Sequence, residues 1–233
     1  MNALLEINNK DGHLLIRNDN TPMSISKKGI FYGRDFSVDV QDMEMPMAFF
    51  RSNGSPVWSR MHLDNGRMNA KFSTLDDNSL GVEYYIFSKD PKPQGKCGLQ
   101  MFNNGVCTFD SSWDFLIPIG HYQASEPGFS LDIPHSGKVA ICVTSPREVG
   151  TVESYSQLIS DYNISTKQWS SYYVYNCTDM WGMEHIAMEG NRLISKFQLT
   201  VQRTYQNWAP ISARPGSGAD FTCFSIDVSH ISI

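Results

Sequence analysis

The chain has 233 residues, a net charge of −5, 41% apolar residues and 12% aromatic residues. That length and apolar share suit one large domain or two small ones with a real buried core. The acidic balance, with no basic run longer than Lys27-Lys28, argues against nucleic-acid binding, which needs clustered Lys and Arg against phosphate.

The opening segment, MNALLEINNKDG, has neither a positive flank nor a long apolar run, so no secretory signal is expected. No apolar stretch approaches the roughly 20 residues of a membrane helix, so no membrane insertion is expected either. Synthesis in a cytosol, without export by a standard route, follows as the expectation. Leu4–Ile7 and Leu14–Ile16 flank Asn-Lys-Asp-Gly, a hairpin signal. A two-residue Asp11-Gly12 turn sets Ile7 opposite Ile16 and Glu6 opposite Arg17.

Strands are predicted at Phe36–Val40, Met47–Arg51, Val57–His62, Arg67–Ser73 and Val82–Ser88. Turn markers separate them at Ser52-Asn53-Gly54, Asp64-Asn65-Gly66 and Asp76-Asp77-Asn78. Residues 89–98 contain Pro91 and Pro93, which cannot donate to a ladder, and read as a linker. The expected organisation is an N-terminal β subdomain at 1–90, a linker at 91–97 and a C-terminal β-sandwich subdomain at 98–233.

The stretch 98–112, GLQMFNNGVCTFDSS, reads as a second hairpin, its Asn-Gly supplying the positive φ that a tight turn needs. With Gly105 in a bulge position of a three-residue loop, Met101 faces Cys107, Leu99 faces Phe109 and Gln100 pairs with Thr108. The hairpin echoes the one at Leu5–Ile16, either as an internal repeat or because both obey the same turn chemistry. Later strands are predicted at Val139–Thr144, Tyr172–Asn176 and Phe221–Val228. Val152–Tyr162 is the one segment compatible with a short helix. Leu193–Tyr205 alternates most clearly, with Leu193, Phe197, Leu199, Val201 and Tyr205 expected on one face. The fold class is therefore all-β, a β-sandwich with little helix.

Five cysteines, Cys97, Cys107, Cys142, Cys177 and Cys223, are dispersed and form no C-x-x-C pair. They read as free, mostly buried thiols and not as a zinc site. No G-x-S-x-G elbow, H-E-x-x-H, phosphate loop or G-x-G-x-x-G occurs. Ser217 sits in a flexible Pro-Gly-Ser-Gly loop, the Asp76-Asp77 doublet reads as a turn, and His185 reads as a surface or capped histidine. No catalytic, cofactor-binding or metal-binding residue is assigned, and no enzymatic activity is expected. The candidate site residues are aromatic: Trp169, Tyr172, Tyr173, Trp181 and Trp208. Such residues fill a core, form a subunit interface or stack on sugars.

Gly98-Leu99-Gln100-Met101-Phe102-Asn103, then Gly105 and Phe109-Asp110-Ser111-Ser112, resembles a recurrent string in tail proteins of long-tailed bacteriophages. The start, Ala3-Leu4-Leu5-Glu6-Ile7 with Asp11-Gly12, also resembles the beginning of such proteins. The resemblance covers about a fifth of the chain, and this sequence has a shorter turn. It implies a structural component of the virion, at the tail tip or associated with tail fibres, built by protein–protein assembly. Other tail proteins and further copies of the chain, in three- or six-fold symmetry, would be its partners. The alternative is a receptor- or glycan-binding module of the tail used in attachment to the host surface.

Overall fold

The structure, a computed structural model, describes residues 6–8, 14–17, 21–75, 80–90, 98–126, 128–207 and 220–233. Trp208, the 91–97 linker, Asp76-Asp77 and Ser217 lie outside the described residues, as does Cys97.

In chain order the strands are β1 (Glu6–Asn8), β2 (Leu14–Arg17), β3 (Ser24–Phe31), β4 (Asp35–Asp39), β5 (Met47–Ser52), β6 (Val57–Asp64), β7 (Arg67–Thr74) and β8 (Val82–Ser88). They continue with β9 (Gln100–Asn103), β10 (Val106–Asp110), β11 (Ile117–Ala124), β12 (Ser130–Asp132), β13 (Val139–Ser145), β14 (Glu148–Asn163), β15 (Gln168–Glu189), β16 (Arg192–Asn207) and β17 (Phe221–Asp227). The described residues hold no helix, and the protein is all-β, in keeping with a β-sandwich. Val152–Tyr162, expected as a helix, lies inside β14. Its Ser154, Ser156 and Ser160 recur at the two-residue period of a strand.

Two sheets form the body. One has the order β11-β17-β13-β5-β8-β3, the other β12-β16-β15-β6-β7-β4 with β14 added to β15. Both mix strands from before and after residues 91–97. Ile141 of β13 pairs with Phe50 of β5, and Ile186 of β15 pairs with Val57 of β6. The expected 1–90 and 98–233 subdomains therefore share sheets. They also share one core, in which Phe50, Phe72, Ile86, Ile141, Ile186, Leu193 and Phe221 are fully buried. The far face of the first sheet is covered as well, by Phe49, Tyr85, Phe87, Ala140, Ile226, Val228 and Ile231. A sheet buried on both faces has runs such as Phe49-Phe50 and Tyr85-Ile86-Phe87 in place of alternation.

Glu6 pairs with Arg17 and Ile7 with Ile16, the register expected of the first hairpin. In the second, Asn104 and Gly105 have φ of 49° and 81°, the two positive values of a type I′ turn. The loop is thus two residues, not three, and Val106 pairs with Asn103. A bulge between Cys107 and Phe109 then sets Phe109 opposite Met101 and Asp110 opposite Gln100, which replaces the expected pairing. Asp110, fully buried, accepts hydrogen bonds from Gln100 Nε2 (2.7 Å), Ser112 N (2.8 Å) and Ser112 Oγ (2.6 Å).

Candidate functional site: the β14–β15 arm and the clefts at its root

β15 has 22 residues, where body strands such as β6 and β8 have 8 and 7. At about 3.3 Å per residue it runs for roughly 70 Å, well beyond the body. Its last turnward segment, Glu184–Met188, is buried in the body, while residues 168–171 are exposed. β14 pairs with β15 without a register break from Glu148↔Met183 to Asn163↔Gln168. β16 is described to Asn207, opposite Tyr175, and beyond that point β14 and β15 pair with each other alone among the described residues. Asn163 Oδ1 closes its tip by accepting from the backbone N–H groups of Ser165 (3.0 Å) and Thr166 (3.1 Å). The short strand expected at Tyr172–Asn176 is the middle of this arm.

Directly opposed residues of an antiparallel pair share a face. One face of the arm carries Tyr162 opposite Trp169, Ser160 opposite Ser171, and Leu158 opposite Tyr173. The Tyr162 and Trp169 rings meet at 5.1 Å between centroids, and the two serine hydroxyls bond at 2.9 Å. Trp169 is 70% exposed and Tyr173 58%. The same face of β15 continues through Tyr175 and Cys177 to Trp181, which stands opposite Gly150 and is 42% exposed. Three of the five predicted residues, Trp169, Tyr173 and Trp181, therefore share one face of one strand. Tyr172 lies on the reverse face, where its hydroxyl donates to Asp161 Oδ2 at 2.8 Å. That bond to a carboxylate is the main reason its pKa is raised. Tyr162 and Leu158, which the helical reading of their segment obscured, complete the exposed ladder.

A bulge in β16 reverses its faces. Val201 pairs with Met180 but Arg203 with Asp179, so Tyr205 falls on the face opposite to Leu193–Val201. Tyr205 then stands across from Cys177, and its hydroxyl donates to Asp179 Oδ1 at 3.3 Å.

The outer edge of β14 pairs with no strand among the described residues. β14 contains no Lys, no Pro and no bulge, the usual devices that blunt an edge, and its charges are all acidic: Glu148, Glu153 and Asp161. At the root, Arg147 and Glu184 are buried 3.6 Å apart, and Glu184 N donates to Arg147 O at 3.0 Å. Ser195 Oγ donates to Glu184 Oε1, and Arg147 Nη2 to Ala124 O, tying β16 and β11 to the base of the arm.

Trp181 also lines two open clefts. One, of about 750 Å³, is walled by Met47, Arg60, Val143 and Thr144. The other, of about 430 Å³, is walled by Arg34, Asp35, Thr74, His185 and Gln198. His185 is buried, not on the surface, and burial lowers its pKa despite the Met183 carbonyl 3.2 Å from Nδ1. Arg60 lays its guanidinium over Trp58, 4.7 Å from the ring centroid. Cys107, Cys142, Cys177 and Cys223 are free thiols. Among the described residues no group of three or more His, Cys, Asp or Glu is placed to hold a metal ion, and no helix is long and apolar enough to cross a membrane.

Comparison with protein-family models, with curated proteins and with solved structures gave no match.

Proposed function

We propose that the protein is a structural component of a bacteriophage tail, at the tail tip or associated with the fibres, that works by assembling with copies of itself and with other tail proteins. The observation that carries this reading is the arm. A two-stranded ribbon is marginally stable alone in water. This one exposes Tyr162, Trp169, Leu158 and Tyr173 on a single face and has, on β14, an edge that pairs with no strand among the described residues. Both features are satisfied together when arms of neighbouring copies pack face to face or edge to edge, burying aromatic area and pairing the open backbone groups. Closed rotational symmetry, three- or six-fold, lets each copy give and receive the same contact. The Gly98–Ser112 string supplies the tail context. The protein acts here as a virion part and not as an enzyme. Imaging of purified phage by electron cryo-microscopy tests the reading: density for the chain in the tail is expected, and its absence from purified virions overturns it.

A second reading has its own observation. Trp169 and Trp181 present indole faces to solvent, as a receptor- or glycan-binding module requires. In this reading the protein contributes to host attachment.

A further inference from the structure

We infer that the 430 Å³ cleft beside Trp181 is a saccharide-binding site. The inference rests on the second reading above and locates it on the molecule. Its volume falls within the range of small-ligand sites, which combine an apolar wall with a few placed polar groups. Here the apolar wall is the half-exposed Trp181 indole, at the point where the arm leaves the body. Facing it are a cation, an anion, an amide and a hydroxyl: Arg34, Asp35, Gln198 and Thr74. His185 adds a ring held by the body. The Met183 carbonyl can only accept, so Nδ1 carries the proton of the neutral imidazole and Nε2 is left as an acceptor.

This mixture selects among ligand classes. A phosphate or nucleotide needs an excess of positive charge or a row of backbone N–H donors. Arg34 and Asp35 both line this cleft, so its lining carries no excess of positive charge from them. A wholly apolar ligand would leave Asp35 and Gln198 desolvated without partners. A pyranose suits both walls: its axial C–H face stacks on an indole, and its hydroxyl rim both donates and accepts against planar amide, carboxylate and guanidinium groups. The second cleft, which Trp181 also lines, gives a longer chain a way to continue along the same tryptophan. A buried donor lies on the same sheet: Trp58 Nε1 has no hydrogen-bond partner among the described residues, and Trp58 stands opposite the cleft-lining Ser73.

The test is a printed array of several hundred bacterial, plant and animal glycans probed with the full chain, followed by calorimetry on the best binder. Trp181→Ala and, as a milder surface change, Gln198→Ala are compared with the arm variant Trp169→Ala, each checked for an unchanged thermal midpoint. Binding is expected, weakened at least tenfold by Trp181→Ala and at least threefold by Gln198→Ala, each a larger loss than Trp169→Ala gives. If Trp181→Ala fails to fold, the Gln198→Ala comparison decides alone. Loss of binding in Trp169→Ala with retention in the cleft variants overturns the cleft assignment while leaving the glycan reading standing. An array with no signal above background overturns both.

Discussion

Arg147 and Glu184 form an ion pair at the base of the arm, 3.6 Å apart with side chains 3% and 0% exposed. Removing one partner strands a buried charge, which costs on the order of 3–5 kcal/mol, whereas replacing both by apolar residues of similar size is commonly neutral or stabilising. Glu184→Leu alone is expected to lower the unfolding free energy by about 3 kcal/mol, and Arg147→Met with Glu184→Leu to recover most of it. Urea denaturation of the parent chain and the two variants measures this, and equal losses in the single and double variants would remove the pair as the anchor.

His185 predicts the sign of a pH effect. Burial holds its pKa below the ordinary histidine value. As pH falls below about 6.5 the unfolded chain takes up a proton on this residue that the folded chain refuses. Stability contributed by the neutral ring is therefore full above that pH and declines with acidification, until the folded ring protonates as well. Denaturation midpoints between pH 7.5 and 5 should fall less steeply in His185→Gln than in the parent chain, and parallel slopes would show that the ring titrates normally.

The Asp110 carboxylate organises the hairpin through three short hydrogen bonds to Gln100 and Ser112. Asp110→Ala leaves those donors without their acceptor, at a cost of about 2–3 kcal/mol for bonds to a charged group. Asp110→Asn keeps an acceptor oxygen and should cost less. Hydrogen exchange over residues 98–112 reports the difference, and an alanine variant as protected as the parent would contradict it.

How much of this was readable from sequence depends on the range of the interaction. The presence of the Asn-Gly turn, the Glu6–Arg17 pairing and strands such as Val82–Ser88 depend on neighbours within a few residues and are legible, although the Asn104-Gly105 loop has two residues in place of the expected three. The Thr108 and Gln202 bulges are not, because a bulge is set by packing across strands, and each one reverses the faces that simple alternation assigns. The order of strands in the two sheets, which joins Phe50 to Ile141 and Val57 to Ile186, leaves no local mark. The arm was half visible: its aromatics stood out in sequence, yet Val152–Tyr162 matched helix and strand patterns alike until paired with β15.

The thiols follow burial. Desolvation pushes Cys142 and Cys223 up to about 12, so neither is a thiolate near neutral pH, and the thiolate is the reactive form. Iodoacetamide at pH 8 should leave both unmodified in the folded chain and label both in urea, as read by peptide mass spectrometry. Rapid labelling of the buried Cys223, or of the half-buried Cys142, under native conditions would contradict a thiol held protonated by desolvation.

The central claim, that the arm is an assembly surface, is tested most directly by light scattering coupled to gel filtration. The parent chain should elute as three or six copies of the 26.3 kDa subunit. The Leu158→Ser, Trp169→Ser, Tyr173→Ser triple variant, which changes only exposed positions, should elute as a folded monomer. A parent chain that stays monomeric at high concentration, or a triple variant that assembles as well as the parent, would contradict the account.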